Sequence, residues 1–320
     1  MTLKERGRRV RVTHPTPAQR AEAEERRLAP MMRALKAIHS ASSPESMRPE
    51  DLKRQRAAQD VLGRLITPMI GMKWAPFELE GMNAAWVRPE RSYDRNHAIL
   101  YCHGGGYTSG NLGYSRPLAS KLSGVTGWDT LSFEYRLAPE HPFPAAVDDA
   151  MKAWDHLMRQ GYGARDVTVD SAGGNLALVL CHRLKQEGRR LPARLILMSP
   201  WTDMTASGKS YTERAELDPT ITLDYIRAVR GAYARDQELT SPMLSPLFGD
   251  FRGFPPTLIQ AGSNELLLSD SVRLRDRMQA AGVPCRLEVW TDMWHVFQMF
   301  PIKKAGQAMA SVGRFLMEYT

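Results

Sequence analysis

Asp170-Ser171-Ala172-Gly173-Gly174-Asn175-Leu176-Ala177 is the stretch around which the chain is organised. A short apolar run, Val167-Thr168-Val169, leads into it, and an apolar helical pattern from Leu176 to Leu184 leads out. A serine placed between a strand and a helix, followed by small residues, marks a nucleophile elbow. Such a turn holds its serine in a strained backbone conformation that lifts the hydroxyl above the sheet. The residues two before and two after must therefore be small. Gly173 meets the second demand, whereas position 169, where glycine is wanted, is Val.

Outward from this point, strand and helix patterns alternate. Phe77–Leu79 and Ala84–Val87 read as an antiparallel opening pair. Strands are expected at His97–Cys102, Thr130–Tyr135, Val167–Val169, Leu195–Met198, Thr257–Ala261 and Arg286–Val289. Helices are expected at Ser115–Leu122, Ala145–Met158, Gly174–Lys185 and Asp270–Ala281, with a closing helix from about Ile302 to Glu318. Alternation of this kind predicts an α/β fold with a mostly parallel sheet flanked by helices on both faces. Ligands of such sheets sit at the carboxyl ends of the strands. Residues 203–245 interrupt the alternation with a helix, Leu223–Tyr233, between polar segments. That insertion, lying above the strand ends, is expected to act as a cap. The domain reading is accordingly an N-terminal helical arm and part of the cap over 1–75, and a catalytic domain over 76–320 with the cap inserted at about 203–245.

The chain has 320 residues, 43% of them apolar, enough for a large core. Residues 1–60 carry 14 Lys or Arg against 8 Asp or Glu, so most of the net charge of +8 sits there. From Pro17 to about Thr67 the pattern is helical, with Met31, Met32, Leu35 and Ile38 at helical spacing and a break at Ala41–Pro44; residues 1–20 read as a tail. No base-reading motif or interleaved aromatics accompany the basic arm, so it reads as a solvated helix and nucleic acid is not expected as a partner. Seven of the 17 methionines precede residue 83 and read as core filler. The basic N-terminus lacks a following apolar run, so neither a signal peptide nor a membrane span is expected. Cys102, Cys181 and Cys285 are far apart and odd in number, which suggests neither a disulfide frame nor a metal site; the expected location is the cytoplasm.

Three further segments carry chemistry. His103-Gly104-Gly105-Gly106 directly follows a strand, and consecutive glycines let backbone N–H groups point into a cavity as an oxyanion hole. His295, in Asp292-Met293-Trp294-His295-Val296-Phe297, lies just past the last strand, where it can reach a serine elbow and take its proton. A triad acid must follow the penultimate strand. Glu265 stands three residues past Gly262 and is preferred. Asp270 is the alternative acid, although after Ser269 it also reads as first-turn charge on a helix dipole.

With these residues in place, the chain resembles the hormone-sensitive-lipase-like family of α/β-hydrolases. The resemblance rests on His103–Gly106, on Tyr135-Arg136-Leu137-Ala138-Pro139-Glu140-His141-Pro142-Phe143-Pro144-Ala145-Ala146, on the Asp170–Ala177 elbow and on His295, and covers about residue 75 onward. It implies the α/β-hydrolase fold, an eight-stranded sheet with a helical cap, and hydrolysis of short-to-medium acyl carboxylic esters through an acyl-enzyme. By residue matching it implies Ser171 as nucleophile, His295 as base and Glu265 as acid, in a place where many members have Asp followed by Pro. It also implies Gly105, Gly106 and Ala172 as oxyanion donors, with Gly104 shaping the turn. No metal or organic cofactor is implied, and the partner is a small-molecule ester. Lactones and amides would use the same residues. The family pattern has Gly where this chain has Val169. Either glycine has been replaced by valine, or two residues are lost and the strand shortened. If Val169 stays in the strand, Ser171 is expected to be drawn toward the sheet by up to about 7 Å. That expectation makes an impaired hydrolase, or a non-catalytic small-molecule binder on the same fold, the alternative. The strand Arg286–Val289 is an expected sheet edge that can pair with a second copy in a homodimer.

Overall fold

The computed structural model describes residues 47–66, 69–91, 96–162 and 164–318, together with Pro30, Arg33 and Leu35. The expected tail, the helical residues before 30 and the break at 41–44 lie outside the described residues.

One mixed sheet of eight strands organises the chain. In chain order these are β1 Met72–Leu79, β2 Met82–Pro89, β3 His97–Cys102, β4 Asp129–Phe133, β5 Ala164–Asp170, β6 Leu195–Met198, β7 Thr257–Gly262 and β8 Cys285–Trp290. Their spatial order is β1-β2-β4-β3-β5-β6-β7-β8. β1 and β2 pair antiparallel, β2 meets β4 antiparallel, and every pair from β4 to β8 is parallel. Its central strands, such as β3, β4, β6 and β7, are buried on both faces, as parallel sheets are. Ile99 and Tyr101 point to one core, Leu100 and Cys102 to the other.

The helices between strands divide between those two faces. α2 Leu112–Thr126 and α8 Lys303–Glu318 cover the face of Ile99. α3 Ala145–Arg159, α4 Ala172–Gln186 and α7 Leu268–Ala280 cover the face of Leu100. α3 shows why the pattern is legible: Ala146, Val147, Ala150, Ala153, Trp154 and Leu157 form one buried stripe at helical spacing. The insertion between β6 and β7 forms the cap and contains α5 Ser210–Glu213 and α6 Leu223–Ala234; α1 Pro49–Leu65 reaches it through the hydrogen bond from Gln55 to Tyr225.

Two strand readings change. The opening pair starts at Met72, five residues before the expected Phe77, because half-exposed edge strands hide their alternation. β5 is not shortened: His97 to Cys102 pair with Ala164 to Val169 through six consecutive positions. Val169 therefore occupies a full-length strand, and of the two descriptions of the elbow the structure supports replacement of glycine by valine.

Candidate active site

At the carboxyl end of β5 the backbone turns sharply into α4. Ser171 sits at that turn with φ 54° and ψ −120°, a conformation disfavoured for an L-residue. A Cβ on Gly173 would stand 2.1 Å from the carbonyl oxygen of Cys102, so the elbow closes against β3 only with glycine there. Val169 is fully buried in the core beneath the turn. The expected displacement of Ser171 is absent: its hydroxyl lies 2.9 Å from Nε2 of His295, at hydrogen-bond distance.

The loop after β3 faces the elbow. Gly104 N–H donates to Oδ1 of Asp170 at 3.1 Å, tying the glycine triplet to the residue before the serine. Tyr101 and Tyr114 donate their hydroxyls to the same carboxyl group, which burial pushes up to about 6 against these hydrogen bonds. Gly105 has φ 114°, a backbone that only glycine adopts readily. Its carbonyl is turned back into its own loop, where it accepts from the N–H groups of Thr108 and Ser109. No protein group among the described residues accepts from the N–H of Gly105, Gly106 or Ala172. His103 lies flat on Tyr135 with ring centres 4.2 Å apart, and burial pushes it down to about 4, so it is a neutral brace for the loop.

His295 follows β8 and is buried. Val296 behind it has φ 53°, unusual for a β-branched residue, and its N–H donates to the hydroxyl of Ser199. Ser199 is itself strained at φ 51° and donates to Oε2 of Glu265 at 2.6 Å. Ser171, Ser199 and Val296 thus concentrate strained backbone around one site. Oε2 of Glu265 is 4.0 Å from Nδ1 of His295, close enough for charge attraction and too long for a hydrogen bond. Burial pushes Glu265 up to about 8; the Ser199 hydroxyl opposes this, and the nearby Asp218 and Asp270 add to it. Asp270 is placed elsewhere. Its Oδ2 accepts from the N–H groups of Thr202 and Asp203 at 2.7 and 2.9 Å, and it clamps the start of the cap insertion.

Four residues that the sequence reading passed over help build the site. Asp170 is invisible as a linker because its tyrosine partners are far away in sequence. Ser199 follows an apolar strand, where a polar residue before Pro200 was the available signal. Asp218 is buried in the cap and accepts from the N–H of Leu266 at 2.8 Å, and from Thr220. Gln55, on α1, reaches Ser109 and Tyr225.

Between cap and sheet lies a cavity of about 150 Å³. Ser171, His295 and Gly105 form its floor, and Leu62, Ile221, Met299 and Phe300 contribute apolar wall. Among the described residues no cluster of three His, Cys, Asp or Glu side chains is arranged to hold a metal ion, and no helix is long and apolar enough to cross a membrane.

Comparison with known proteins identifies the family of the fold. Residues 99–299 match a family described by the alpha/beta hydrolase fold. An esterase of Acinetobacter venetianus is 36% identical over 265 residues, covering 81% of this chain and 87% of its own. An acetyl-hydrolase of Streptomyces hygroscopicus is 38% identical over 241 residues, covering 74% and 80%. Among solved structures, an esterase from the bacterial hormone-sensitive lipase family superposes with a TM-score of 0.85 at 33% identity, over 93% of this chain and 98% of that one.

Proposed function

Because this chain belongs to the α/β-hydrolase family and is a carboxylic ester hydrolase of the hormone-sensitive-lipase-like kind, we propose that Ser171, His295 and Glu265 carry its chemistry. The observation that supports this most directly is the 2.9 Å contact between the Ser171 hydroxyl and His295 Nε2, made from a strained elbow. His295 takes the serine proton as Ser171 attacks the ester carbonyl. The oxyanion falls to the unclaimed N–H groups of Gly105, Gly106 and Ala172. His295 then returns the proton to the leaving alcohol, and water repeats the sequence on the acyl-enzyme. Across the 4.0 Å gap the carboxylate form of Glu265 stabilises the positive charge that forms on His295, an attraction that opposes the upward push of burial. Gly104, whose N–H is used by Asp170, shapes the loop.

Short acyl groups suit this site. A cavity of about 150 Å³ is the size that accepts a benzene-sized ligand. One relative is named an acetyl-hydrolase, and a solved esterase at 34% identity was soaked with p-nitrophenyl butyrate. The cysteines are unpaired, which supports a reducing compartment such as the cytoplasm. β8 ends the sheet, which supports a homodimer formed along that edge.

A p-nitrophenyl ester series from acetyl to dodecanoyl, run with the purified chain and with Ser171→Ala, tests the reading. Turnover should peak at short acyl groups, fall toward acid pH as His295 protonates, and drop by at least about 10³-fold in the variant. Turnover that survives Ser171→Ala would remove the serine from the mechanism.

A further inference from the structure

We propose that Gln55, on the N-terminal helix α1, is a positioning residue that sets the oxyanion loop for catalysis. The inference rests on the hydrolase reading above and extends it to a residue outside the elbow, the histidine and the acid.

Gln55 is buried, 5% exposed, on a helix whose neighbouring positions Lys53 and Arg54 face solvent. An uncharged amide gains nothing from burial unless its hydrogen bonds are met. Here they are met by two other elements. The amide nitrogen donates to the Ser109 hydroxyl at 3.1 Å and to the Tyr225 hydroxyl at 3.0 Å. The amide oxygen accepts from the Thr108 hydroxyl at 3.2 Å. One side chain thus joins α1, the loop after β3, and α6 of the cap.

The contact with Ser109 leads to the chemistry. Ser109 Oγ donates to the carbonyl of Gly105 at 2.9 Å, beside the N–H groups of Thr108 and Ser109. A peptide unit is planar, and its C=O and N–H point in opposite directions. Fixing the Gly105 carbonyl therefore aims the N–H of Gly106, one of the oxyanion donors. Tyr225 lies against the same residue: its hydroxyl would be 2.7 Å from a Cβ on Gly106. Arg56, the next residue on α1, adds a second grip by donating to the Thr108 carbonyl at 2.9 Å. Gln55 also lines the cavity, so the rival role is that of a simple wall contact for substrate.

The two roles separate kinetically. An oxyanion donor acts in the transition state, so loss of its alignment lowers kcat, whereas loss of a wall contact raises KM. Gln55→Met keeps length and helix propensity and removes every hydrogen bond of the amide. Ser109→Ala removes one hydroxyl from the same chain of contacts and leaves α1 untouched. With p-nitrophenyl acetate, each variant should lower kcat by about 10- to 100-fold, with KM within roughly threefold. A trifluoromethyl ketone, which forms a tetrahedral adduct on the serine, should lose affinity in step with kcat/KM. The double variant should be little worse than the weaker single, because both break one path. The proposal is overturned if Gln55→Met changes KM alone, or if the two losses multiply. Should Gln55→Met not fold, Ser109→Ala with unchanged kcat overturns it by itself. Ser171→Ala assayed alongside separates the two readings, since turnover that survives there defeats the serine mechanism whatever Gln55 does.

Discussion

His295 stands between two supports of different construction. On one side is the elbow, where Val169, Asp170 and the first turns of α4 are buried in the sheet core and the serine lies 2.9 Å away. On the other is the loop after β7, laced to the cap, where Glu265 lies 4.0 Å away. That loop and the first turn of α7 hold a second contrast. Glu265 and Asp270 are both fully buried, and burial pushes them to about 8 and about 7. Oδ2 of Asp270 takes two backbone N–H groups and the Thr202 hydroxyl. Oε2 of Glu265 takes the Ser199 hydroxyl, and its Oε1 has no partner among the described residues. Burial alone therefore does not distinguish the proposed acid, Glu265, from its alternative, Asp270. The number of donors does: three hold Asp270 through Oδ2, whereas Glu265, with one donor on Oε2, can respond to charge on its neighbour.

The sharpest way to break this contrast is Glu265→Gln. Its amide oxygen can keep the Ser199 hydrogen bond, so the fold should hold. What is lost is the negative charge that stabilises the imidazolium. The expected fall in kcat/KM is about 10²- to 10⁴-fold with little change in unfolding midpoint. A variant retaining more than a third of the activity would show that His295 works without this acid.

The matching change at Asp270 should do much less to turnover. The two backbone N–H groups and the Thr202 hydroxyl all bond Oδ2, and the Tyr211 hydroxyl lies near the same carboxyl group. Asparagine can present its single carbonyl oxygen at that point. For Asp270→Asn, kcat/KM should stay within roughly threefold and stability within about 1 kcal/mol. Asp270→Ala orphans the buried N–H groups of Thr202 and Asp203, at roughly 1–3 kcal/mol for each. A pH signature follows. The folded protein holds the Asp270 proton more tightly than the unfolded chain, whose carboxyl titrates near 3.9. This contribution to stability is full below about pH 4 and is lost as pH rises through about 7. Urea midpoints of the native chain and of Asp270→Asn, compared at pH 5 and 7.5, should differ in slope by this contribution. Equal slopes would mean that Asp270 is ionised throughout.

The same division explains how much the sequence conveyed. Elements with one strong period were legible: α3 by its buried stripe, β3 and β6 by runs of apolar residues bounded by turns. Ser171, His295 and Glu265, the proposed triad, could be nominated because each occupies a position that the strand order defines. β1 was half missed, since Lys73 and Pro76 interrupt its alternation and its outer side has no partner strand. The supports around the site were illegible for a different reason. Gln55 in a helix looks like any solvated glutamine, and Asp218 like any polar loop residue, until tertiary contacts bury them against segments 54 and 48 positions away. Long-range hydrogen bonding leaves no periodic trace in a single sequence.

Val169 provides the smallest effect on turnover and the most direct test of the elbow. By sequence, its side chain should crowd the turn and displace the serine. In the fold it points into the core, where its Cγ2 stands 3.7 Å from where a Cβ on Gly174 would be, an ordinary van der Waals distance, so it does not crowd the turn. The serine keeps its strained conformation because β3 and α4 fix the turn from both sides, not because position 169 is small. Val169→Gly should therefore lower stability by about 2–4 kcal/mol, from lost burial and added chain freedom, with kcat unchanged within roughly threefold. Urea unfolding and p-nitrophenyl acetate turnover on the same preparation decide the matter. A tenfold rise in kcat would show that valine holds Ser171 away from His295, and the elbow would then be the looser of the two supports.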